Sequence, residues 1–305
     1  MLPEAETRDR HNLQISYFLN MDDGTLRANL RRHVDWLSVQ IGERHLWNGD
    51  SLSRTADYIE SELAASGYAP TRQNFTAFQK NVCNVIAEKA GRQEPVVIVG
   101  AHYDSAPGSP GADDNASAVA GLLELARLMR YHRSRFSFRF VAFVNEESPS
   151  FGSDYMGSMQ YVQYLKRSKC RVAFMICLEM IGYYDGRPCQ RYPLPWMRSF
   201  YPKTGNFIAV IGNLHSHRVA LSVARKMRHR HGVPVAALIA PLPVGGMDRS
   251  DHFAFWRHGY KALMITDTAQ YRYDHYHKET DTIDRLDFNV MSQVVAALFG
   301  ALSQY

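Results

Sequence analysis

Acidic and histidine side chains stand at five places where a short apolar run of the sequence gives way to polar residues. The first place is His102-Tyr103-Asp104, and Asp114 follows twelve residues after the histidine. The other three places hold Glu146-Glu147, Glu179 and His277. Imidazole and carboxylate donors suit a pair of divalent zinc ions, which could polarise a carbonyl and activate water. An acid beside a ligand acid would then supply the general base.

Each of these residues also has an ordinary structural interpretation. His102 could be a hydrogen-bonded polar residue at a strand end, and Asp114 could cap a helix. Glu146-Glu147 could form a solvated turn. Glu179 is harder to explain, because it lies among apolar residues and a buried carboxylate is costly unless it is paired or bound to a metal. Convergence of all these side chains at one place would favour the metal centre.

The segments between these residues are typical of an α/β domain. Strands are predicted at 84–88, 96–101, 138–144, 172–177, 207–211 and 262–266. Helices are predicted between them at about 114–131, 153–167, 215–231 and 287–303. This alternation indicates one mostly parallel sheet covered by helices on both faces. Because ligands of such sheets bind outside the carboxyl ends of the strands, the acidic and histidine residues fall where a site is expected.

Two further helices are predicted ahead of the first strand. Residues 24–47 carry apolar residues at helical spacing, and a second helix begins near Asp50 or Ser53 and ends at Gly67. The sequence has no linker, internal repeat or low-complexity tract. We therefore predict a single zinc peptidase domain over residues 24–305, preceded by an N-terminal extension over residues 1–23.

Composition excludes several classes of protein. The 305 residues are 46% hydrophobic and 21% charged, as in an ordinary globular chain, and the net charge of +5 comes with short basic clusters that lack a nucleic-acid-binding signature. The four cysteines show no CxxC spacing, and no segment is typical of an export signal or a membrane helix. GxSxG and nucleotide-binding loops are missing. We expect a cytoplasmic protein that binds neither nucleic acid nor membrane, and the oligomeric state stays open.

The order and spacing of these motifs resemble the co-catalytic zinc aminopeptidases of metallopeptidase family 28, whose relatives include glutamate carboxypeptidase and the glutaminyl cyclases. The resemblance runs from about Leu26 to the C-terminus. It implies a three-layer α/β/α fold with a central, mostly parallel mixed sheet, of the phosphorylase/hydrolase-like zinc exopeptidase type. It also implies two zinc ions, bridged by Asp114. The implied metal ligands are His102, Asp114, Glu147, Glu179 and His277.

The resemblance also assigns the residues around the ligands. Glu146 would be the general base, and Tyr276 would stabilise the oxyanion of the tetrahedral intermediate. Asp104 would orient the imidazole of His102, and the peptide bond between Asp113 and Asp114 would be cis. The motif Ser250-Asp251-His252 would support the site structurally.

One position departs from the family pattern. Glu179 replaces the Asp of a Leu-Asp-Met-Ile-Gly type segment, and its extra methylene changes how the carboxylate reaches a metal. If Glu179 does not bind, then Asp114, Glu147 and His277 remain as a one-zinc site.

The implied activity is removal of N-terminal residues from peptides, or from a small amide, by metal-activated water with Glu146 as base. The alternatives are a single-zinc glutaminyl cyclase-like acyltransferase and a catalytically silent metal-binding homologue. Tyr183, Tyr184, the loop 188–202 and Phe207 are candidates for lining the specificity pocket.

Overall fold

The computed structural model of the protein describes residues 23–228, 232–240 and 246–305. The predicted N-terminal extension lies outside the described residues except for Asp23. The helix predicted over residues 215–231 is described as far as Arg228.

Eight strands form one mixed sheet. They are β1 (Thr71–Ala77), β2 (Lys80–Lys89), β3 (Gln93–His102), β4 (Phe136–Phe143), β5 (Val172–Glu179), β6 (Ile208–Asn213), β7 (Val235–Ala240) and β8 (Ala262–Thr266). Their spatial order is β1-β2-β4-β3-β5-β8-β6-β7. The four central strands β4, β3, β5 and β8 run parallel to one another, whereas β1 with β2, β2 with β4 and β6 with β8 pair antiparallel.

Helices cover both faces of the sheet. They are α1 (Asp23–Asp35), α2 (Ser51–Ala65), α3 (Ala118–Met129), α4 (Gly157–Arg167), α5 (His217–Arg228), α6 (His252–Arg257) and α7 (Phe288–Leu302). One apolar core joins the sheet to α1, α2, α3, α5 and α7, and a second joins the other face to α4 and α6. The three-layer prediction is therefore confirmed.

Strand β3 shows why both faces must be covered. Its residues Val97 and Val99 belong to the first core, whereas Val96 and Ile98 belong to the second. Side chains alternate across a strand, so a continuous run of apolar residues fits a strand that is buried on both sides.

The helix predicted over residues 24–47 ends earlier than predicted. Helix α1 continues directly into a π-helix over Trp36–Ile41, which ends at Gly42 with φ +81°. Residues 43–47 leave the helical path because Arg44 turns into the protein interior, where it is fully buried.

Three elements were not predicted from the sequence. Strand β1 is polar and largely exposed because it lies at the edge of the sheet. Strand β7 is the opposite edge, and its six residues carry few signals beyond short apolar side chains. Helix α6 spans only six residues and is too short to show helical periodicity.

None of the helices in the described part of the chain is both long enough and apolar enough to span a bilayer.

We predict that Gly100→Ala destabilises the sheet at its central strand. A Cβ atom at Gly100 would lie 2.3 Å from Cε2 of Phe143, whose ring is fully buried. Overpacking of this kind costs about 1–3 kcal/mol of unfolding free energy, which urea denaturation would measure. The control is Gly186→Ala, because a Cβ there meets no atom within 4 Å. Equal stability of the two variants would contradict the prediction.

Candidate active site

The predicted metal ligands lie together at the carboxyl ends of the four parallel central strands. His102 is the last residue of β3, and Glu179 is the last residue of β5. Glu147 lies in the loop after β4, and His277 lies in the segment after β8. Because these strands are neighbours and parallel, side chains that are distant in the sequence meet in space.

Two groups of donor atoms share Asp114. In the first group, Nε2 of His102 lies 3.5 Å from Oδ1 of Asp114 and 3.3 Å from Oε2 of Glu179. In the second group, Nε2 of His277 lies 3.0 Å from Oδ2 of Asp114 and 3.1 Å from Oε1 of Glu147. The two oxygens of Asp114 therefore face different groups, as a bridging carboxylate would.

Asp114 is presented by a turn that a distant residue holds. The carboxylate of Asp281 accepts hydrogen bonds from the backbone amides of Asp113, at 2.9 Å, and Asp114, at 3.1 Å. The expectation of a cis peptide bond between Asp113 and Asp114 is wrong. The cis bond is the next one, Asp114–Asn115. No residue type marks this position in the sequence, because neither bond precedes a proline.

Asp104 connects His102 to the acidic pair. Its carboxylate lies 3.5 Å from Nδ1 of His102 and accepts hydrogen bonds from the backbone amides of Glu146, at 3.1 Å, and Glu147, at 3.0 Å. Nδ1 of His102 also lies 3.2 Å from the carbonyl oxygen of Asp104. One buried carboxylate therefore orients both the loop after β4 and the imidazole at the end of β3.

The longer side chain at Glu179 reaches the first donor group and is held there. The hydroxyl of Ser250 donates a 2.5 Å hydrogen bond to Oε2 of Glu179. Sγ of Cys177 lies 3.1 Å from the same hydroxyl. The motif Ser250-Asp251-His252 thus lies against the donor groups, and Nε2 of His252 lies 2.8 Å from the carbonyl oxygen of Met247.

The donor set fits divalent zinc. Among the described residues, Nε2 of His102, Oδ1 of Asp114 and Oε1 of Glu147 are buried polar atoms without a hydrogen-bond partner. Buried polar atoms are normally bonded, so three such atoms close together fit a site that binds a cation. Imidazole and carboxylate donors together suit zinc, and the remaining donors, Glu179 and His277, complete two groups of three.

Burial, and after it the neighbouring carboxylates, disfavours the ionised form of the acids at the donor groups. Burial and the nearby Asp114 raise the pKa of Glu147 to about 7. Burial, with Glu147 and Glu179 nearby, holds the pKa of Glu146 well above its ordinary value although His102 opposes it. Burial opposes ionisation of Asp114 as well, but His102 and His277 keep its pKa below the ordinary value. The two imidazoles alone do not neutralise these acids.

Glu146 and Tyr276 lie beside the donor groups without belonging to either. The side chain of Glu146 is buried next to Glu147. The ring of Tyr276 stacks on the imidazole of His277, with 3.8 Å between the ring centroids. Their placement fits the predicted catalytic roles, which stay predictions.

An apolar pocket opens beside Glu179 and Tyr276. Its wall is formed by side chains of the loop after β5 and of strands β6, β7 and β8, including Met197, Phe207, Ile211, Leu238 and Met264. Phe207 and the loop 188–202 therefore line the pocket as predicted. Tyr183 and Tyr184 do not belong to its wall. Tyr183 packs on Tyr273 at 4.6 Å instead, and the Tyr184 hydroxyl donates to the carbonyl of Ile181.

Arg44 is a positioning residue that the sequence did not reveal. Its fully buried guanidinium donates hydrogen bonds of 2.6–3.0 Å to backbone carbonyls of Leu37, Gly42, Tyr103, Pro110 and Gly111. Its backbone exchanges hydrogen bonds with Ser105. Arg44 thereby fixes the loop between His102 and Asp114. The surrounding segment, Glu43-Arg44-His45, is polar and gives no signal that separates Arg44 from surface arginines.

We predict that Arg44→Met unfolds at lower denaturant concentration than the wild type. The change leaves buried carbonyls unpaired, which costs about 1–3 kcal/mol for each one that water does not reach. Urea denaturation should show a loss of about 3 kcal/mol or more. Arg54→Met is the matched control, because Arg54 is exposed on α2 and makes one hydrogen bond of 3.4 Å. A loss for Arg44→Met no larger than the loss for the control would contradict the assignment.

Paired donor groups that share a carboxylate, at the carboxyl edge of a three-layer sheet and beside an acid outside both groups, define a metal-dependent hydrolase. The family model named "Peptidase family M28" matches residues 84–301. The chain belongs to this family. Membership confirms the predicted resemblance and the prediction of an enzyme of the metallo-aminopeptidase class.

Relatives and solved structures agree with this family. The uncharacterized protein YfbL of Escherichia coli (strain K12) is 41% identical over 275 residues, which cover 87% of this chain and 84% of that protein. The fold resembles BSAP, a zinc aminopeptidase from Bacillus subtilis, with a TM-score of 0.71 at 17% identity over 90% of this chain and 94% of that one. Fimbriiglobus ruber glutaminyl cyclase gives 0.66 at 20% identity over 91% and 94%. The fold alone therefore does not separate an aminopeptidase from a cyclase.

Proposed function

We propose that this protein is a zinc-dependent aminopeptidase that releases N-terminal apolar residues from peptides. The observation that carries the proposal is the pair of donor groups that share Asp114. His102, Asp114 and Glu179 would hold one zinc ion, and Asp114, Glu147 and His277 would hold the other. Zinc, when bound, polarises the scissile carbonyl and lowers the pKa of water.

The chain's own residues supply the proton transfers. Glu146 lies beside the donor groups and outside both of them, so its carboxylate is available to take a proton from the attacking water. Glu146 then returns this proton to the leaving amine. The hydroxyl of Tyr276 donates a hydrogen bond to the oxygen that becomes negatively charged.

Two features of the site, its buried carboxylates and the adjacent apolar pocket, would select the substrate. The buried carboxylates, including Glu146 and Glu179, attract the cationic amino group that every N-terminal residue carries. The adjacent pocket, with Met197, Phe207 and Leu238 in its wall, accepts an apolar side chain. Leucine, methionine and phenylalanine are therefore the N-terminal residues expected to be removed fastest.

Cyclisation of N-terminal glutamine by a single zinc ion is the competing function. It is the activity named for one structural neighbour. The position of Glu179 favours the peptidase, because its carboxylate lies 3.3 Å from His102 and completes the first donor group. A cyclase would need only the group of Asp114, Glu147 and His277.

The proposal is tested with a panel of aminoacyl chromogenic amides. We expect leucine, methionine and phenylalanine amides to be hydrolysed, and Glu146→Gln to reduce kcat about 100-fold or more, the usual contribution of a general base. Zinc content should stay unchanged in this variant, because Glu146 belongs to neither donor group. The matched control is Glu94→Gln, an exposed acid near the amino end of β3. Undiminished turnover in Glu146→Gln would refute the assigned base.

A further prediction concerns the number of zinc ions per chain and the effect of removing them. Elemental analysis of the purified protein should find about two zinc ions per chain, and Glu179→Ala should lower the value towards one, because it removes a donor from the first group. Dialysis against a chelator should abolish hydrolysis, and added zinc should restore it. A wild-type value near one zinc per chain, with conversion of glutaminyl peptides into pyroglutamyl peptides and release of ammonia, would favour the cyclase.

A further inference from the structure

Three exposed aromatic residues lie on the same side of the sheet as the donor groups, beyond the carboxyl ends of the central strands. We call Trp47, Phe78 and Tyr155 the aromatic cluster. The ring centroids of Trp47 and Phe78 are 6.1 Å apart, and those of Phe78 and Tyr155 are 4.5 Å apart. The three side chains are 52%, 39% and 43% exposed, respectively. Contiguous exposed aromatic surface of this kind marks a binding site more often than scattered apolar residues do.

Phe78 has a positive φ, which is an unfavourable backbone conformation for a phenylalanine. It forms, with Gln79, the two-residue turn between β1 and β2, because Ala77 pairs with Lys80. Its φ is +48° and that of Gln79 is +63°. Such turns prefer asparagine, aspartate or glycine, since other side chains are strained at positive φ. A strained and exposed phenylalanine therefore indicates a function for the ring.

The aromatic cluster is fixed to the loop that carries Glu146 and Glu147. The side-chain amide of Asn145 donates to the carbonyl oxygen of Tyr155 at 3.4 Å, and the amide of Gly157 donates to Val144 at 2.7 Å. Nζ of Lys80 also donates to the carbonyl of Leu46 at 2.6 Å, which joins the segment of Trp47 to the turn. These hydrogen bonds connect the cluster to the loop that carries Glu146.

The order of the strands places the cluster opposite the apolar pocket. The pocket lies over β6, β7 and β8, whereas the donor groups lie at the ends of β4, β3 and β5. Strand β2 is antiparallel to β4, with Val85 opposite Ala142, so its first residue, Lys80, lies level with the loop after β4. The donor groups therefore stand between the pocket and the cluster.

The spacing suits a peptide that crosses this edge. Strand β1 is two strand spacings from β4 and three from β3, or about 10–15 Å, and an extended peptide covers this distance in about three to four residues. A substrate whose N-terminal side chain enters the pocket has its scissile bond at the donor groups. Its second to fourth residues then reach the aromatic cluster.

We propose that the aromatic cluster binds the second to fourth residues of the peptide substrate and favours an aromatic side chain there. The inference rests on the proposed aminopeptidase function and extends it from an N-terminal preference to a preference for extended peptides. Aromatic side chains of the substrate would pack on Phe78 and its neighbours as aromatic pairs do elsewhere.

The test compares two peptide amides, Leu-Ala-Phe-Gly-NH2 and Leu-Ala-Gly-Gly-NH2. For the wild type we expect kcat/KM to be about fivefold to tenfold higher for the phenylalanine peptide, mainly through KM, which is the effect of one aromatic contact. Phe78→Asn should bring this ratio close to one. Asparagine tolerates positive φ, so the turn is retained. The control is Tyr131→Asn, an aromatic side chain that is 77% exposed beyond the end of α3; its ratio should match that of the wild type.

Binding by calorimetry separates failure of this inference from failure of the proposed function. Both peptides are titrated into Glu146→Gln protein and into the double variant with Phe78→Asn. Weaker binding of only the phenylalanine peptide to the double variant supports the inference, even if the wild type hydrolyses neither peptide and the proposed function falls. If leucine is released but Phe78→Asn leaves both the kinetic ratio and the affinities unchanged, the cluster is not a subsite.

Discussion

Mutual repulsion among buried carboxylates is the constraint on which the site depends. Asp104, Asp114, Glu146, Glu147 and Glu179 are all buried at one sheet edge, against the imidazoles of His102 and His277. Burying like charges without compensation costs several kcal/mol for each group. Two divalent cations would relieve this cost directly, because the two donor groups together contain three carboxylates, Asp114, Glu147 and Glu179.

Two buried carboxylates outside the donor groups are compensated by backbone amides instead. Asp104 accepts the amides of Glu146 and Glu147, and Asp281 accepts those of Asp113 and Asp114. Arg44 is the converse case of a buried cation, because backbone carbonyl oxygens accept the hydrogen bonds of its guanidinium group. These contacts fix the loops before any ligand arrives. Donor atoms held in this way lose little entropy on binding, which is how a rigid scaffold makes a precise site.

The sequence predicted the central strands and the meeting of the candidate donor residues because both depend on strong local signals. The apolar run Val96–Val99 and the polar residues that begin at His102 locate a strand end without further information. Edge strand β1 gave no such signal, since exposed strands need not be apolar. Helix α1 was predicted too long because the left-handed Gly42 and the inward turn of Arg44 are decided by tertiary contacts.

Other features of the site could not follow from residue types at all. The cis bond at Asp114–Asn115 and the exclusion of Tyr183 from the pocket depend on three-dimensional packing. The hydrogen bond from Ser250 to Glu179 joins residues that are 71 positions apart. Cytoplasmic location and the extension over residues 1–23 stay predictions.

The position of Asp281 in the sequence determines when the site can assemble during translation. It holds the turn of Asp114 from 167 residues further along the chain, four residues after His277. A chain translated only as far as residue 250 therefore lacks both the central strand β8 and the carboxylate that holds the turn of Asp114. The two donor groups cannot assemble until the segment that contains His277 and Asp281 has been made.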